Sequence, residues 1–198
     1  MRPSSPAELP YLIVGLGNPG KEYRDTRHNA GFLVLDRLSS ELGARLTRVR
    51  FRSLLAEGKG DSRRVILAKP QTYMNLVGHS VAPLVRFYRV PLDQLLVVCD
   101  DIDLPMGTLR LRPRGGSAGH NGLRSIFESL GSQDFPRLRV GIGRPPGRMD
   151  PSDYVLRGFD PAELADVDSI LTRAADCCLA FVKDGIQFAM NHFNGEYR

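Results

Sequence analysis

Short apolar runs recur along the chain, with segments of helical period between them. Tyr11–Leu16 (YLIVGL), Arg64–Ala68 (RVILA), Leu95–Cys99 (LLVVC) and Leu138–Ile142 (LRVGI) lack the strict in-out alternation of a half-exposed strand. They read as strands buried on both faces, the pattern of a sheet covered by helices on each side. Asn29–Leu42 places Phe32, Leu35, Leu38 and Leu42 at helical spacing and is followed by Gly43 as a stop. Asn75–Tyr88 is predicted helical, with Pro83 expected to kink or break it. Thr108–Arg112 alternates as a strand, and Asn121–Leu130 is predicted as a helix ended by Gly131. Asp160-Pro161-Ala162-Glu163 carries the cap, first-turn proline and acidic third position of a helix start. That helix is predicted to run to about Asn191, with Gly185 as its bend. Strands alternating with helices give an α/β fold class.

A length of 198 residues fits one domain. Residues 1–10 (MRPSSPAELP) read as a flexible tail and 11–198 as the domain. The tail has no apolar core of a signal peptide, and no run approaches the ~20 apolar residues of a membrane helix, so a cytoplasmic protein is expected. Three cysteines, two of them adjacent (Cys177 and Cys178), have neither disulfide nor metal spacing and read as buried free thiols. The net charge is +5, and 23 of the 27 basic residues are arginine. Such a surplus suits planar recognition of phosphate, although codon usage in the source genome produces the same bias. Pro145–Pro151 reads as a mobile loop within the domain.

Two motifs imitate better-known sites. Gly15-Leu16-Gly17-Asn18-Pro19-Gly20 has the letters of a dinucleotide fingerprint. The fingerprint requires a helix opening at the second glycine, and Pro19-Gly20 makes a turn instead. Gly115-Gly116-Ser117-Ala118-Gly119 has the letters of a nucleophile elbow, but Pro113 and Arg114 stand where a strand must run into the serine. It reads better as a glycine-rich loop feeding the helix after His120, whose free amides attract anions.

The remaining candidates are polar groups at strand ends. His28 sits in a polar loop before a helix, and His120 sits beside Asn121 at a loop–helix junction. Asp100-Asp101-Ile102-Asp103 follows a buried strand directly. One of these carboxylates could orient a histidine; together with His28 they could instead hold a metal. Arg110, Arg112 and Arg114 share one strand face, as do Arg137 and Arg139; Arg45, Arg48, Arg50 and Arg52 form a further group. Such faces track a phosphate backbone or are simply solvated.

Taken together, these motifs resemble the bacterial-type peptidyl-tRNA hydrolase family. The matching residues are Gly15–Gly20 with Tyr23, Thr26-Arg27-His28-Asn29 and Gly31; Lys69-Pro70 with Thr72–Leu76 and Gly78; Asp100–Pro105; Gly115-Gly116 with Gly119–Leu123; and Arg137–Gly143. Val77 stands where a serine is common, and Ser117-Ala118 fill a stretch often richer in glycine. The resemblance implies a single α/β domain with a twisted mixed sheet between helices. It also implies hydrolysis of the ester between peptide and tRNA, without metal or cofactor. On it, His28 is the general base, Asp100 orients it, and Asn18 and Asn75 are amide donors, Asn75 favoured for the oxyanion with Asn121 second. Tyr23, Tyr73 and Met74 border the substrate. His120 and Asn121 meet the terminal adenosine or the peptide end. Arg110, Arg112 and Arg139 hold the phosphates of the acceptor arm. The expected partner is peptidyl-tRNA, through its acceptor arm and 3′ end, bound by a monomer with no obligate protein partner and no membrane. The competing readings are a non-catalytic RNA-binding relative and a metal-dependent esterase.

Overall fold

The computed structural model describes residues 9–196; residues 1–8, most of the tail read from the sequence, lie outside it. Seven strands form one sheet in the order β2-β3-β4-β1-β5-β7-β6. They are β1 (Tyr11–Gly15), β2 (Arg48–Arg50), β3 (Ser53–Gly60), β4 (Arg63–Pro70), β5 (Leu95–Asp101), β6 (Leu109–Arg112) and β7 (Arg137–Gly141). The central run β4-β1-β5-β7 is parallel, while β2, β3 and β6 pair antiparallel. The sheet is therefore mixed, as the resemblance implies.

The apolar runs are continuous because each strand supplies two cores. Tyr11 and Ile13 of β1, Val65 and Leu67 of β4, and Leu96 and Val98 of β5 belong to one. Helices α1 (Ala30–Glu41), α5 (Leu164–Asp184) and α6 (Ile186–Phe193) cover it. Leu12 and Val14, Ile66 and Ala68, and Leu95, Val97 and Cys99 point to the other, under α2 (Gly78–Tyr88) and α3 (Asn121–Leu130). Neither core exists without the sheet, which makes the described chain one unit. All three cysteines are buried and free.

Several local expectations are corrected. β2 and β3 carry no readable strand pattern: SLLAEGKG mixes glycine and charge. Yet β3 pairs with β4 along its whole length, Ser53↔Pro70 through Gly60↔Arg63. The turns are Phe51-Arg52 and Asp61-Ser62, all four with positive φ, as primed two-residue hairpin turns require. Pro83 does not break α2, which runs through it; the carbonyl that loses its partner is that of His79, an exposed residue. The turn Met74–Leu76 is separate from α2. Asp160 does not cap the long helix, which starts at Leu164. The Glu163 side chain instead accepts from the Asp160 amide at 2.7 Å in a preceding turn. Gly185, at φ 86°, divides α5 from α6 outright. The loop after β7 contains a short helix, α4 (Pro151–Val155), capped by Asp150.

One close approach positions everything at the sheet's upper edge. α1 crosses β1 and β5 so tightly that a Cβ on Gly31 would collide with the backbone at Leu16 and Val98. Alanine is the better helix former by about 1 kcal/mol, but backbone atoms cannot yield. Gly31→Ala is therefore expected to destabilise the protein by about 1–3 kcal/mol, read as a lowered urea midpoint. An unchanged or raised midpoint would contradict this packing.

Candidate active site

Parallel pairing of β1 and β5, with Gly15 opposite Val98, brings the C-terminal ends of both strands to one edge. That edge is where α/β sheets bind ligands. The chain beyond β1 presents Asn18, the end of β5 presents Asp100, and a one-turn helix at Arg27–Asn29 drops His28 between them. These residues line a cavity of about 390 Å³ with His120, Asn121 and Arg139; Pro151, Ser152, Val155 and Leu156 at α4 form the opposite wall.

The centre is a hydrogen-bonded trio. His28 Nδ1 lies 2.8 Å from Asp100 Oδ1, and His120 Nε2 lies 3.2 Å from the same oxygen. Burial opposes the charge on His28, but attraction to the Asp100 carboxylate and the bond to it outweigh burial and raise its pKa above the ordinary 6.5. Burial likewise opposes the charge on Asp100. The attraction of His28, reinforced by the bonds from both histidines, holds its carboxyl well below the usual range. With Nδ1 committed to Asp100, the free nitrogen of His28 is Nε2, the one able to take a proton from water.

Asn18 is fixed on three sides. Its amide N donates to Asn29 Oδ1 at 2.8 Å, its carbonyl accepts from Asn29 Nδ2 at 3.0 Å, and its Oδ1 accepts from the Met74 amide at 3.0 Å. The side-chain NH₂ is left as the donor of a residue that lines the cavity. Asn121 also lines it and accepts from Arg124 at 2.8 Å through Oδ1. The structure does not bring Asn75 into this cavity. It is exposed and borders an adjoining depression between α2 and α3, with His79, Arg86 and Glu128. Tyr73 is exposed, Met74 is buried in the core beneath α2, and Tyr23 is half-buried with its carbonyl bonded to Thr26.

The arginines divide. Arg110 sits opposite Arg139, and Arg112 opposite Arg137, across β6 and β7. Arg110 and Arg112 are exposed, whereas Arg137 and Arg139 are buried. Arg137 donates to the carbonyl of Gly115, and Arg139 donates to that of Gly116 at 2.7 Å and to Asp101 Oδ2 at 2.8 Å. Burial and the neighbouring Arg139 push the Arg137 pKa down to about 10. These two side chains hold the glycine-rich loop that leads into His120.

Arg27, beside the histidine, was not singled out from the sequence. Its buried guanidinium donates to Gly158 O and, at 2.6 Å, to Glu163, and it stacks 4.5 Å over the Tyr154 ring. It ties the α4 wall to the histidine turn. The signal that could have revealed it is its place within Thr26-Arg27-His28-Asn29. Asn29, which clamps Asn18, was legible only as a motif letter.

Among the described residues, the one cluster with metal-ligand proximity is the trio itself, with donor atoms within 4.8 Å of one another. It fits hydrogen bonding better than ligation. His120 Nδ1 accepts from the amides of Gly122 and Leu123, so Nε2 carries the hydrogen and has no lone pair to offer. The other carboxylates of the acidic run are paired, Asp101 with Arg139 and Asp103 with Arg144.

The opposite shifts set a pH window. Asp100, depressed, stabilises the fold above the ordinary carboxylate value of 3.8 and loses that contribution on acidification; His28, raised, stabilises below 6.5 and loses it as pH rises through its folded value. Relative to wild type, Asp100→Ala is expected to lose the most stability between those values, about 1–3 kcal/mol, and less on either side. Urea unfolding across pH checks this, and a pH-independent difference would contradict it.

Comparisons with known proteins bear on the family and the fold. A family profile described as peptidyl-tRNA hydrolase matches residues 12–198. The peptidyl-tRNA hydrolase of Brevibacillus brevis is 50% identical over 183 residues, 92% of this chain and 97% of the relative. That of Chloroflexus aurantiacus is 51% identical over 185 residues, 93% of this chain and 98% of the relative. The crystal structure of peptidyl-tRNA hydrolase from Acinetobacter baumannii is 36% identical and superposes with a TM-score of 0.89, covering 98% of each chain. The chain belongs to the peptidyl-tRNA hydrolase family.

Proposed function

We infer that the protein hydrolyses the ester bond between a peptide and the 3′-terminal ribose of tRNA, N-acylated aminoacyl-tRNA included, and so returns tRNA from prematurely released peptides. The observation that carries the mechanism is the 2.8 Å bond from His28 Nδ1 to the buried carboxylate of Asp100. It leaves Nε2 as the base in a cavity that Asn18 and Asn121 also line.

His28 Nε2 takes a proton from water as the water oxygen attacks the ester carbonyl. Asp100 fixes the tautomer and stabilises the imidazolium that forms. The tetrahedral intermediate places its charge on the former carbonyl oxygen, within reach of neutral amide donors. Asn18 and Asn121 are the donors whose position supports this role. Asn75 acts from the rim, on substrate rather than in the cavity. Collapse breaks the C–O bond, and the His28 imidazolium returns its proton to the departing ribose oxygen. Arg110 and Arg112, exposed on the edge strand β6, take acceptor-arm phosphates; Arg139 contributes from the cavity wall while holding the Gly116 carbonyl. Tyr23 and Tyr73 border the peptide side, and Met74, buried beneath α2, supports it from below. One chain supplies every residue of this cavity, which supports action as a monomer. No described helix is long and apolar enough to cross a membrane. A substrate that arises in translation supports a cytoplasmic site of action.

His28→Ala is expected to lower kcat by about 10²–10⁴-fold with KM for N-acetyl-aminoacyl-tRNA little changed. Retained turnover would remove His28 from the base role. Wild-type hydrolysis is expected to persist in excess chelator; loss with chelator, restored by added metal, would favour the metal-dependent reading. RNA binding without any turnover would favour the non-catalytic one. Arg110→Ala with Arg112→Ala is expected to raise KM and flatten the salt dependence of kcat/KM, and an unchanged slope would move the RNA surface elsewhere.

A further inference from the structure

We propose that His120 is a positioning residue for the His28–Asp100 pair: it caps α3 with one ring nitrogen and binds Asp100 with the other, so that the helix start fixes and moderates the carboxylate that orients the base. For its kinetic consequences the proposal rests on the hydrolase reading; its geometry does not.

Helix caps are usually Ser, Thr, Asp or Asn, whose short side chains end at the amides they serve. His120 does the same work differently. Its backbone is extended (φ −71°, ψ 114°), and Nδ1 accepts from Gly122 N at 3.1 Å and Leu123 N at 3.4 Å. A nitrogen that accepts carries no hydrogen, so the hydrogen is on Nε2, which donates to Asp100 Oδ1 at 3.2 Å. No short cap could span from the amides to the carboxylate. The ring is held on every side. The amide of His120 donates to Ser117 O at 3.0 Å, and Gly122 leaves no room for a Cβ between the ring and Met74. Arg137 and Arg139 anchor the loop that delivers it.

His28 and His120 therefore share one oxygen, their rings 5.2 Å apart. The side chains of His120 and Asp100 are only 6% and 3% exposed, so water screens the contact weakly. A second donor on Asp100 draws on charge that His28 alone would otherwise use. Other groups that face His28 are accounted for. Asp101, also on β5, is neutralised by Arg139 from β7. The α4 wall contributes no charged side chain to the cavity, and the chain beyond β1 contributes only the amide of Asn18. Removing the His120 bond should strengthen the hold of Asp100 on the His28 proton. The protonated, inactive form of His28 would then persist to higher pH.

The test is His120→Asn, which keeps a favoured cap but is too short to reach Asp100, beside His120→Ala, which loses both functions. In His120→Asn the acid limb of the kcat/KM–pH profile is expected to move upward by about half to one unit, with activity recovering at alkaline pH. The NMR titration of the His28 ring in substrate-free protein should move the same way. Helix content should stay at the wild-type level for Asn and fall for Ala. An unmoved His28 titration in His120→Asn overturns the proposal, and a raised KM alongside it would make His120 a substrate contact instead. The NMR arm needs no turnover. An inactive wild type would therefore count against the hydrolase reading and leave the proposal to the titration.

Discussion

A carboxylate at 3% exposure cannot stay ionised without partners, and the arrangement of this protein's upper edge follows from supplying them to Asp100. Its donors come from segments distant in sequence: the turn holding His28 and the start of α3 at His120. Each is delivered by a different packing event. α1 reaches β1 and β5 only because Gly31 carries no side chain. α3 is set against α2 by an equally close approach at Gly78, whose amide donates to Ser125. β1 and β5 lie side by side in the parallel part of the sheet. Disturbing any of these leaves a buried charge under-satisfied, which is why stability and catalysis are coupled here.

The same rule recurs around the site with the signs reversed. Arg27, Arg137 and Arg139 are buried cations. Arg137 spends its donors on the loop carbonyls of Gly115, Gln133 and Phe135, while Arg27 and Arg139 each divide theirs between a loop carbonyl, Gly158 or Gly116, and a carboxylate, Glu163 or Asp101. Loops that wall a cavity have few apolar contacts of their own. A buried guanidinium, always charged and rich in donors, pins such a loop where a hydrophobic contact could not. The arginine surplus of the sequence is thus divided between an exposed pair suited to phosphate and a buried set that shapes the cavity.

Cys99, Cys177 and Cys178 show the contrasting case, in which burial has no compensating partner. It pushes all three thiols up, Cys177 to about 12. They remain protonated and unreactive, as buried core residues do.

How much of this was legible depends on the range of the interaction that decides each feature. α3 was readable to the residue, Asn121–Leu130, because its left-handed stop at Gly131 is local. The central strands were readable because burial on both faces leaves an unbroken apolar run. β3 was not: its stability comes from pairing with β4, which a mixed sequence such as SLLAEGKG does not advertise. Alternating arginines on β6 and β7 look alike in sequence, yet the glycine-rich loop folds over Arg137 and Arg139 and leaves Arg110 and Arg112 in water. His28 and Asp100 were identifiable as family motifs, and the resemblance implied that Asp100 orients His28; that His120 shares the same carboxylate oxygen was not readable. By itself, the sequence determined the alternation of elements, the strand ends at which polar residues would gather and the family. Only the tertiary structure decided that His120 bridges α3 to Asp100, that Asn75 stands outside the cavity and that Arg139 is buried. These depend on which distant segments meet, and a hydrogen bond of 3 Å between residues 20 or 72 positions apart leaves no periodic trace in the chain.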